Sequence, residues 1–211
     1  MFNKSEAMRK YLAISKRSFK TKLDQFLLNK CVADERDVGA ITIDEFNRYV
    51  INDADIRMYA AVYCQQPYEH RINGKKIIDL YSIMGSWKRQ NAKELVQWER
   101  CYRIFFEKML PYEHFEDLLR GDRCGYCHIT VGDINELIGM GKMFKKRETR
   151  GFSMEVGRKD PNKEYSKENV VLCCCWCDSA KADEFTEPEF QTIASEIKEV
   201  WQKRLGRKLR D

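Results

Sequence analysis

Four cysteine residues in the C-terminal half of the chain are spaced as ligands of a metal ion. Cys124 and Cys127 lie in the stretch GDRCGYCH, and Cys174 and Cys177 lie in VVLCCCWCDSAK, so two residues separate the members of each pair. Two thiolate pairs of this kind can close a tetrahedral Zn²⁺ site with Zn–S distances of about 2.3 Å. Four thiolates leave no open coordination position, so we expect the zinc ion to be structural and to stabilise the fold.

Other cysteines offer alternatives to this assignment. Cys173 and Cys175 neighbour the second pair, but only Cys174 and Cys177 keep the two-residue spacing. In the alternative interpretation, the cysteines of both pairs are small buried hydrophobic residues without a metal. We expect three further cysteines, in helical or apolar contexts, to belong to the core: Cys31, Cys64 and Cys101.

The stretch that carries the paired cysteines resembles the HNH (His-Me finger) endonuclease family. The resemblance rests on residues 118–127, LLRGDRCGYC, and on residues 151–190, which include GFSMEVGRKDP, NVVLCCCWCDSAK and TEPEF. It covers about a third of the chain and does not explain residues 1–115. It implies a ββα unit, which the zinc-bearing subset of the family braces with two CxxC pairs. It also implies a catalytic ion such as Mg²⁺, a histidine that deprotonates water and an asparagine that orients this histidine.

Three residues match positions to which the family assigns functions. The resemblance places the loop asparagine at Asn169 and the metal-holding residue of the final helix at Asp178, with the following lysine at Lys181. It implies that Lys181 contacts nucleic acid. These three residues are therefore candidate site residues by resemblance.

The family's Asp-His pair is replaced in this chain. Pro161 fixes the register in which the pair falls on Gly157 and Arg158. Arginine has a pKa above about 12 and cannot act as a base at pH 7. The chain has three histidines, His70, His114 and His128, and none of them lies between residues 152 and 181.

Two routes to an active site remain open. Strand alternation places Glu155 on the same face as Gly157, so Glu155 and Asp178 could hold Mg²⁺ or Mn²⁺ and lower the pKa of a bound water. Arg158 would then stabilise the scissile phosphate, and Asp160 is a further carboxylate candidate. In the other route, a base comes from the N-terminal half or from a partner protein. The alternatives to both are an inactive site that only binds DNA and a surface ion pair between Glu155 and Arg158.

Basic residues flank the cysteine-rich region. The net charge of +5 is mild, but two basic runs suit a phosphate backbone. The alternative is two solvated helix ends. The first run contains Lys142 and the candidate nucleic-acid contacts Lys145, Lys146, Arg147 and Arg150. The second run, near the C-terminus, contains Lys203, Arg204, Arg207, Lys208 and Arg210.

The pattern of apolar residues predicts a mainly α fold with a small α+β unit. We expect amphipathic helices over residues 6–29 and 92–110 and a hairpin near residues 71–74. The C-terminal helix should start at a capping box formed by Thr186 and Glu189. We therefore predict two regions, a helical part over residues 1–115 and a zinc-braced HNH-like ββα domain with a C-terminal helix over residues 116–211.

Residues 34–45 have the outline of a calcium loop. Arg36 and Val38 occupy positions that need oxygen ligands, which argues against calcium. Thr42 and Glu45 instead predict a capping box at the start of a helix.

Tyr126, Tyr165 and Trp176 could stack on bases or pack the zinc core, and for Tyr165 we favour packing.

The composition and the lack of a long apolar run limit the classes of protein to which the chain could belong. The chain of 211 residues has the composition of a globular protein and no apolar run of about 20 residues, which predicts a cytoplasmic protein that does not cross a membrane. The resemblance predicts a metal-dependent endonuclease acting on double-stranded DNA, in a setting such as restriction or anti-phage defence. The alternative is a catalytically inactive zinc module that binds nucleic acid or docks on a partner protein, for example an ATPase, through its helical N-terminal region.

Overall fold

The structure of the chain is a computed structural model that describes most of the sequence. The described residues are 3–33, 41–64, 71–72, 74–143 and 150–210. They form a mostly helical fold with two small antiparallel sheets, which confirms the predicted fold class. The helices are α1 (Lys4–Ala33), α2 (Ile43–Arg48), α3 (Asp53–Cys64), α4 (Ile77–Gln90), α5 (Ala92–Met109), α6 (Tyr112–Leu119), α7 (Val131–Gly139), α8 (Cys175–Lys181) and α9 (Glu187–Leu205). The strands are β1 (Arg71–Ile72), β2 (Lys75–Lys76), β3 (Glu155–Arg158) and β4 (Val170–Cys173).

The chain divides into two compact units. One unit comprises Met1–Tyr11 and Met109–Asp211, and the other comprises Leu12–Lys108. The first is called the cysteine unit here and the second the helical unit. The predicted division into functional domains at residue 115 stays a prediction.

An aromatic core organises the helical unit. The ring of Phe46 in α2 is fully buried and stacks on Trp98 of α5 at 5.4 Å between centroids. Phe19 and Phe26 of α1 meet Phe46 edge-on. The predicted apolar face of α5 is buried at Trp98, Tyr102 and Phe106, whereas Phe105 stays partly exposed because the apolar stripe is wider than the contact.

Two helices, α2 and α9, begin at the residues where the sequence predicts capping boxes. Thr42 and Glu45 form a capping box at the start of α2, and Thr186 and Glu189 form another at the start of α9, as predicted. β1 and β2 form the predicted antiparallel hairpin, in which Gly74 adopts a left-handed φ of +79°. Residues 34–40 of the calcium-like loop lie outside the described residues.

The cysteine unit contains the predicted ββα arrangement. β3 and β4 pair in antiparallel register, with Glu155 opposite Cys173 and Gly157 opposite Val171. The chain passes from β4 directly into α8, and α9 closes the unit with the buried side chains of Phe190 and Trp201. The core of this unit surrounds the four paired cysteines.

Candidate metal centre and active site

The structure brings the four paired cysteines together in the core of the cysteine unit. All four are fully buried, and the four Sγ atoms lie within 4.8 Å of one another. The Sγ atoms of Cys127 and Cys174 are 3.7 Å apart. A tetrahedral zinc ion with Zn–S bonds of about 2.3 Å requires sulfur atoms about 3.8 Å apart. The cluster therefore fits a structural zinc ion.

A tight turn presents the first cysteine pair. The backbone amide of Cys124 donates to the carbonyl of Ile129, and the amide of His128 donates to the carbonyl of Cys124 at 3.0 Å. His128 closes this turn in the left-handed region, at a φ of 61°. The amide of Gly125 donates to the carbonyl of Leu172 at 2.8 Å, so the turn is fixed to β4.

Helix capping explains the spacing of the second pair. Cys174 is the N-cap residue of α8, and its Sγ atom accepts a hydrogen bond from the backbone amide of Cys177 at 3.4 Å. An N-cap side chain normally accepts from the amide two or three positions later. The same geometry that begins the helix therefore directs both sulfur atoms to one side of its first turn.

The four thiols of the cluster influence one another's ionisation. Hydrogen bonds from Cys127, Cys174 and Cys177 lower the pKa of Cys124, so one thiolate is stabilised by its neighbours. Hydrogen bonds with Cys124 and Cys127 raise the pKa values of Cys174 and Cys177, and burial raises them further. If all four thiols ionise at this distance, a bound positive ion would offset their mutual repulsion.

The neighbouring cysteines lie outside the cluster. Cys173 is buried in β4, and its thiol points to the carbonyl of Glu155 at 3.7 Å. Burial raises the pKa of Cys173, and the carboxylate of Asp178 raises it further. Cys175 is half-buried in the first turn of α8. Among the described residues, the cluster that could hold a metal ion contains neither of them.

Glycine in β3 lets α8 approach the sheet. A Cβ atom at Gly157 would lie 3.1 Å from the Sγ atom of Cys173 and 3.2 Å from Oδ1 of Asp178. The start of α8 therefore packs over the face of β3 that carries Gly157 and, two residues earlier, Glu155. This packing brings the carboxylates of Glu155 and Asp178, which were predicted to share an ion, onto one face of the ββα unit.

One guanidinium group joins these two carboxylates. Arg150 binds Glu155 in a bidentate manner, with Nε 2.7 Å from Oε1 and Nη2 2.6 Å from Oε2. The same Nη2 atom lies 2.6 Å from Oδ2 of Asp178, and Nη1 donates to Ser179 at 2.8 Å. Burial opposes ionisation of Glu155, but the hydrogen bonds and charge of Arg150 outweigh it and lower the pKa of that carboxyl.

Arg158 lies apart from this group. Its guanidinium donates to Oδ1 of Asp183 at 2.9 Å and to the carbonyl of Lys163, and it stacks over the ring of Tyr165 at 5.2 Å. Arg158 occupies the next position along β3 after Gly157, so its side chain starts from the opposite face. The partner of Glu155 is thus Arg150, rather than Arg158 as the surface-pair alternative supposed.

Asn169 holds the loop between β3 and β4. Its side-chain Oδ1 accepts from the amide of Asp160 at 2.8 Å, and its Nδ2 donates to the carbonyls of Asp160 and Glu164. The side chain is buried, so these bonds fix the loop from within. The carboxylate of Asp160 accepts from the amide of Asn162 and pairs with Lys163 at 3.3 Å.

The predicted phosphate-binding lysine of α8 is enclosed by protein. Lys181 is 3% exposed, and its ammonium donates to the carbonyl of Phe185 at 2.7 Å. Desolvation and the neighbouring charge of Arg158 lower its pKa. The other predicted contacts, Lys145, Lys146 and Arg147, lie outside the described residues.

Two aromatic residues near the cluster, Tyr126 and Trp176, pack against side chains of α9. Tyr126 meets Phe190 edge-on at 5.1 Å, and Trp176 meets Trp201 at 5.3 Å. Tyr165 is buried beneath Arg158, in agreement with the packing that the sequence favoured.

The contact between Arg150 and the two carboxylates was not predicted from the sequence, because Arg150 and Asp178 are 28 positions apart and share no motif.

Comparison with known proteins gives one distant structural similarity. No protein-family model matches the chain, and no curated protein matches it. Among solved structures, the chain is similar to the rare-cutting HNH restriction endonuclease PacI, with 22% sequence identity and a TM-score of 0.39. The match covers 52% of this chain and 80% of the other. Among the described residues, no helix combines the length and apolar character needed to cross a membrane.

Proposed function

We propose that the chain is a metal-dependent nuclease that hydrolyses phosphodiester bonds in double-stranded DNA. The observation that supports this proposal is the convergence of Glu155 and Asp178 on one cationic group, at 2.6 Å each, beside the buried four-cysteine cluster. Side chains from β3 and α8 therefore meet where a single positive charge binds both. A role in restriction or anti-phage defence is part of the same proposal.

Glu155 and Asp178 are the residues that would hold a catalytic ion. Carboxylate oxygens are the ligands that Mg²⁺ and Mn²⁺ prefer, so the donor chemistry fits. Arg150 neutralises the same oxygens, so an ion can share them only after the guanidinium leaves. When bound, such an ion lowers the pKa of a coordinated water and polarises a phosphoryl oxygen.

The other residues of the site bind and position the substrate. Arg158 would stabilise the scissile phosphate, but its side chain starts from the face of β3 opposite Glu155. Its guanidinium must therefore leave Asp183 to reach a phosphate at the carboxylates. Its partner Asp183 is 82% exposed, so a phosphate could replace that carboxylate at little cost. Asn169 would maintain the loop that carries Asp160, a further carboxylate for the site.

Basic residues near the site would bind the DNA backbone. Arg150, once released from its carboxylates, would contact a phosphate together with Lys145, Lys146 and Arg147. Such contacts give affinity without sequence specificity. Lys181 would contact the nucleic acid only if its ammonium left the carbonyl of Phe185, because its side chain is buried.

A second candidate function is a nucleic-acid-binding module without catalysis. The observation that favours it is the pairing of Arg150 with both carboxylates, which leaves the acidic pair already neutralised. The zinc cluster would then only maintain a surface for binding. Docking on a protein partner through residues 1–115 stays a prediction.

Cleavage of supercoiled plasmid with added Mg²⁺, Mn²⁺ or Ni²⁺ distinguishes the two functions. We expect nicked or linear product with the wild type, and a loss of at least about 100-fold for Asp178→Asn and Glu155→Gln, because each removes the negative charge of a proposed ion ligand. Arg158→Ala should also lose most of the activity. Asp117→Asn is the matched control, because Asp117 is an exposed carboxylate of α6 that pairs with Arg120 at the surface.

The two candidate functions predict different results in this cleavage assay. Cleavage that survives both Asp178→Asn and Arg158→Ala would eliminate this site. No cleavage with any of the three ions, together with retained DNA binding, would establish the binding module instead.

A further inference from the structure

We infer that the C-terminal tail of the chain is a pre-formed binding site for a nucleic-acid phosphate backbone. The site, called the tail site here, consists of Arg123, Lys208 and Arg210, with Lys142 and Arg204 at its side. It rests on the proposed function in taking DNA as the ligand, but it lies outside the carboxylate site and does not depend on catalysis.

The tail is held in place by specific contacts. α9 ends at Gly206, which adopts a left-handed φ of 73° and turns the chain back. Leu209 is then buried, and its amide donates to Oε1 of Gln202 at 3.1 Å. The guanidinium of Arg123 donates to the carbonyl of Arg210. A freely solvated tail would not be anchored in this way, because each fixed residue loses conformational entropy.

Arg207 neutralises the acids that would repel a phosphate. Its Nη2 atom lies 2.6 Å from Oδ1 of Asp133 and 2.7 Å from Oε2 of Glu136, both on α7. Burial opposes ionisation of Asp133, but bonds from Thr130 and Arg207 outweigh it and lower the pKa of that carboxyl. The charges of Arg123, Lys208 and Arg210 are therefore not cancelled by the nearest acidic side chains of α7.

These cations border a cavity. The cavity has a volume of about 520 Å³, and its lining contains one carboxylate, that of Asp133, which Arg207 pairs. The other lining residues are Thr130, Leu209 and the cations Arg123, Lys208 and Arg210. A concave surface with a net positive charge focuses the electrostatic potential and concentrates anionic ligands. Its shape and charge suit a phosphate group.

Two more cations extend the positive surface along α9. The ammonium of Lys142 donates to the carbonyl of Arg204, and the guanidinium of Arg204 donates back to the carbonyl of Lys142. This reciprocal pair fixes both side chains beside the last turn of the helix. Several cations on one unit suit a repeating polyanion better than a single small anion, so we assign the tail site to the backbone of a nucleic acid.

Salt-dependent binding of a fluorescein-labelled 20-base-pair duplex tests the tail site. Fluorescence anisotropy is measured on the zinc-loaded protein without added divalent ion, so that cleavage does not interfere. The test variant is Lys208→Ala with Arg210→Ala. The control is Lys93→Ala with Arg100→Ala, which removes the same two residue types from exposed positions on α5.

We expect the tail variant to bind the duplex about 10- to 100-fold more weakly near 0.1 M salt. We also expect its plot of log K against log[salt] to be about 2 less steep, because two phosphate contacts are lost. The control should stay within about twofold of the wild type in affinity. Equal zinc content in all three proteins shows that the variants are folded.

Two results would overturn the inference. One is equal weakening by the tail and control variants, which would mean that only net charge matters. The other is an unchanged salt slope for the tail variant. A plasmid that is not cleaved, combined with the predicted loss of binding, would reject nuclease activity and leave the tail site standing.

Discussion

The guanidinium of Arg150 lies 2.6 Å from the carboxylate of Asp178, although 28 positions separate the two residues. The same nitrogen atom also binds Glu155 at 2.6 Å. One arginine thus holds together the two acids that the ββα unit places on one face. A divalent ion bound to these carboxylates, as proposed, would therefore compete with Arg150 for their oxygen atoms.

The first prediction concerns this competition. Replacing Arg150 with glutamine should strengthen Mn²⁺ binding by at least about tenfold, because the carboxylates of Glu155 and Asp178 then lack their compensating charge. Isothermal titration of the zinc-loaded protein with Mn²⁺ measures the effect. Arg120→Gln is the control, because Arg120 forms exposed ion pairs elsewhere on the unit.

Adding Glu155→Gln to the Arg150 variant should abolish the gain. If Mn²⁺ binds equally to the wild type and to Arg150→Gln, the two carboxylates do not form an ion site.

The second prediction concerns the structural contribution of Asn169. Asn169→Ala removes three hydrogen bonds to the loop backbone and should lower the free energy of unfolding by about 2–4 kcal/mol. Urea unfolding monitored by tryptophan fluorescence provides the measurement. Asn162→Ala, at an exposed position of the same loop, should change stability by less than about 0.5 kcal/mol. Equal stability of the two variants would show that the loop does not depend on Asn169.

The third prediction concerns the close approach of the first cysteine turn to β4. A Cβ atom at Gly125 would lie 2.8 Å from Cγ2 of Val171 and 3.2 Å from the carbonyl oxygen of Leu172. Gly125→Ala should therefore destabilise the protein by about 1–3 kcal/mol and weaken zinc retention during dialysis. Gly139→Ala in α7, where nothing lies within 4 Å, should be neutral or stabilising by up to about 1 kcal/mol. A Gly125→Ala protein as stable as the wild type would contradict the observed packing.

The fourth prediction is a pH dependence in the helical unit. Hydrogen bonds from the backbone and side chain of Thr42, together with Lys30, lower the pKa of Glu45 to about 2. Because this pKa is lowered on folding, the stabilisation by Glu45 is present above its ordinary pKa of about 4.3 and is lost as the pH falls toward 2. Carboxyl NMR titration should give a value near 2 in the wild type and in Thr42→Ser. Thr42→Ala keeps the backbone amide but removes the hydroxyl, so it should move the pKa upward. An unchanged value there would show that the Thr42 hydroxyl does not stabilise the charge.

The local parts of the site were predictable from sequence. The CxxC spacing of Cys174 and Cys177 reflects the first turn of a helix, which is a local geometry, and the capping boxes at Thr42 and Thr186 are local as well. The ββα order followed from the family resemblance and is confirmed by the pairing of β3 with β4.

The side-chain partners within the site were not predictable. Arg150 reaches Glu155 and Asp178 only through tertiary packing, and a basic run gives no indication that one of its members faces acids. Lys181 illustrates the same limit, because lysine is rarely buried and its enclosure depends on the carbonyl of Phe185 beyond the end of α8.

The most direct measurement is the zinc content of the purified protein and its cysteine variants. Cys124, Cys127, Cys174 and Cys177 should hold one zinc ion per chain, and Cys124→Ser with Cys174→Ser should lose it and unfold the cysteine unit. Cys175→Ser should keep the ion, because that residue lies outside the cluster. A wild-type content below about half a zinc ion per chain, or full retention in the double variant, would contradict the four-thiolate site on which the ββα unit depends.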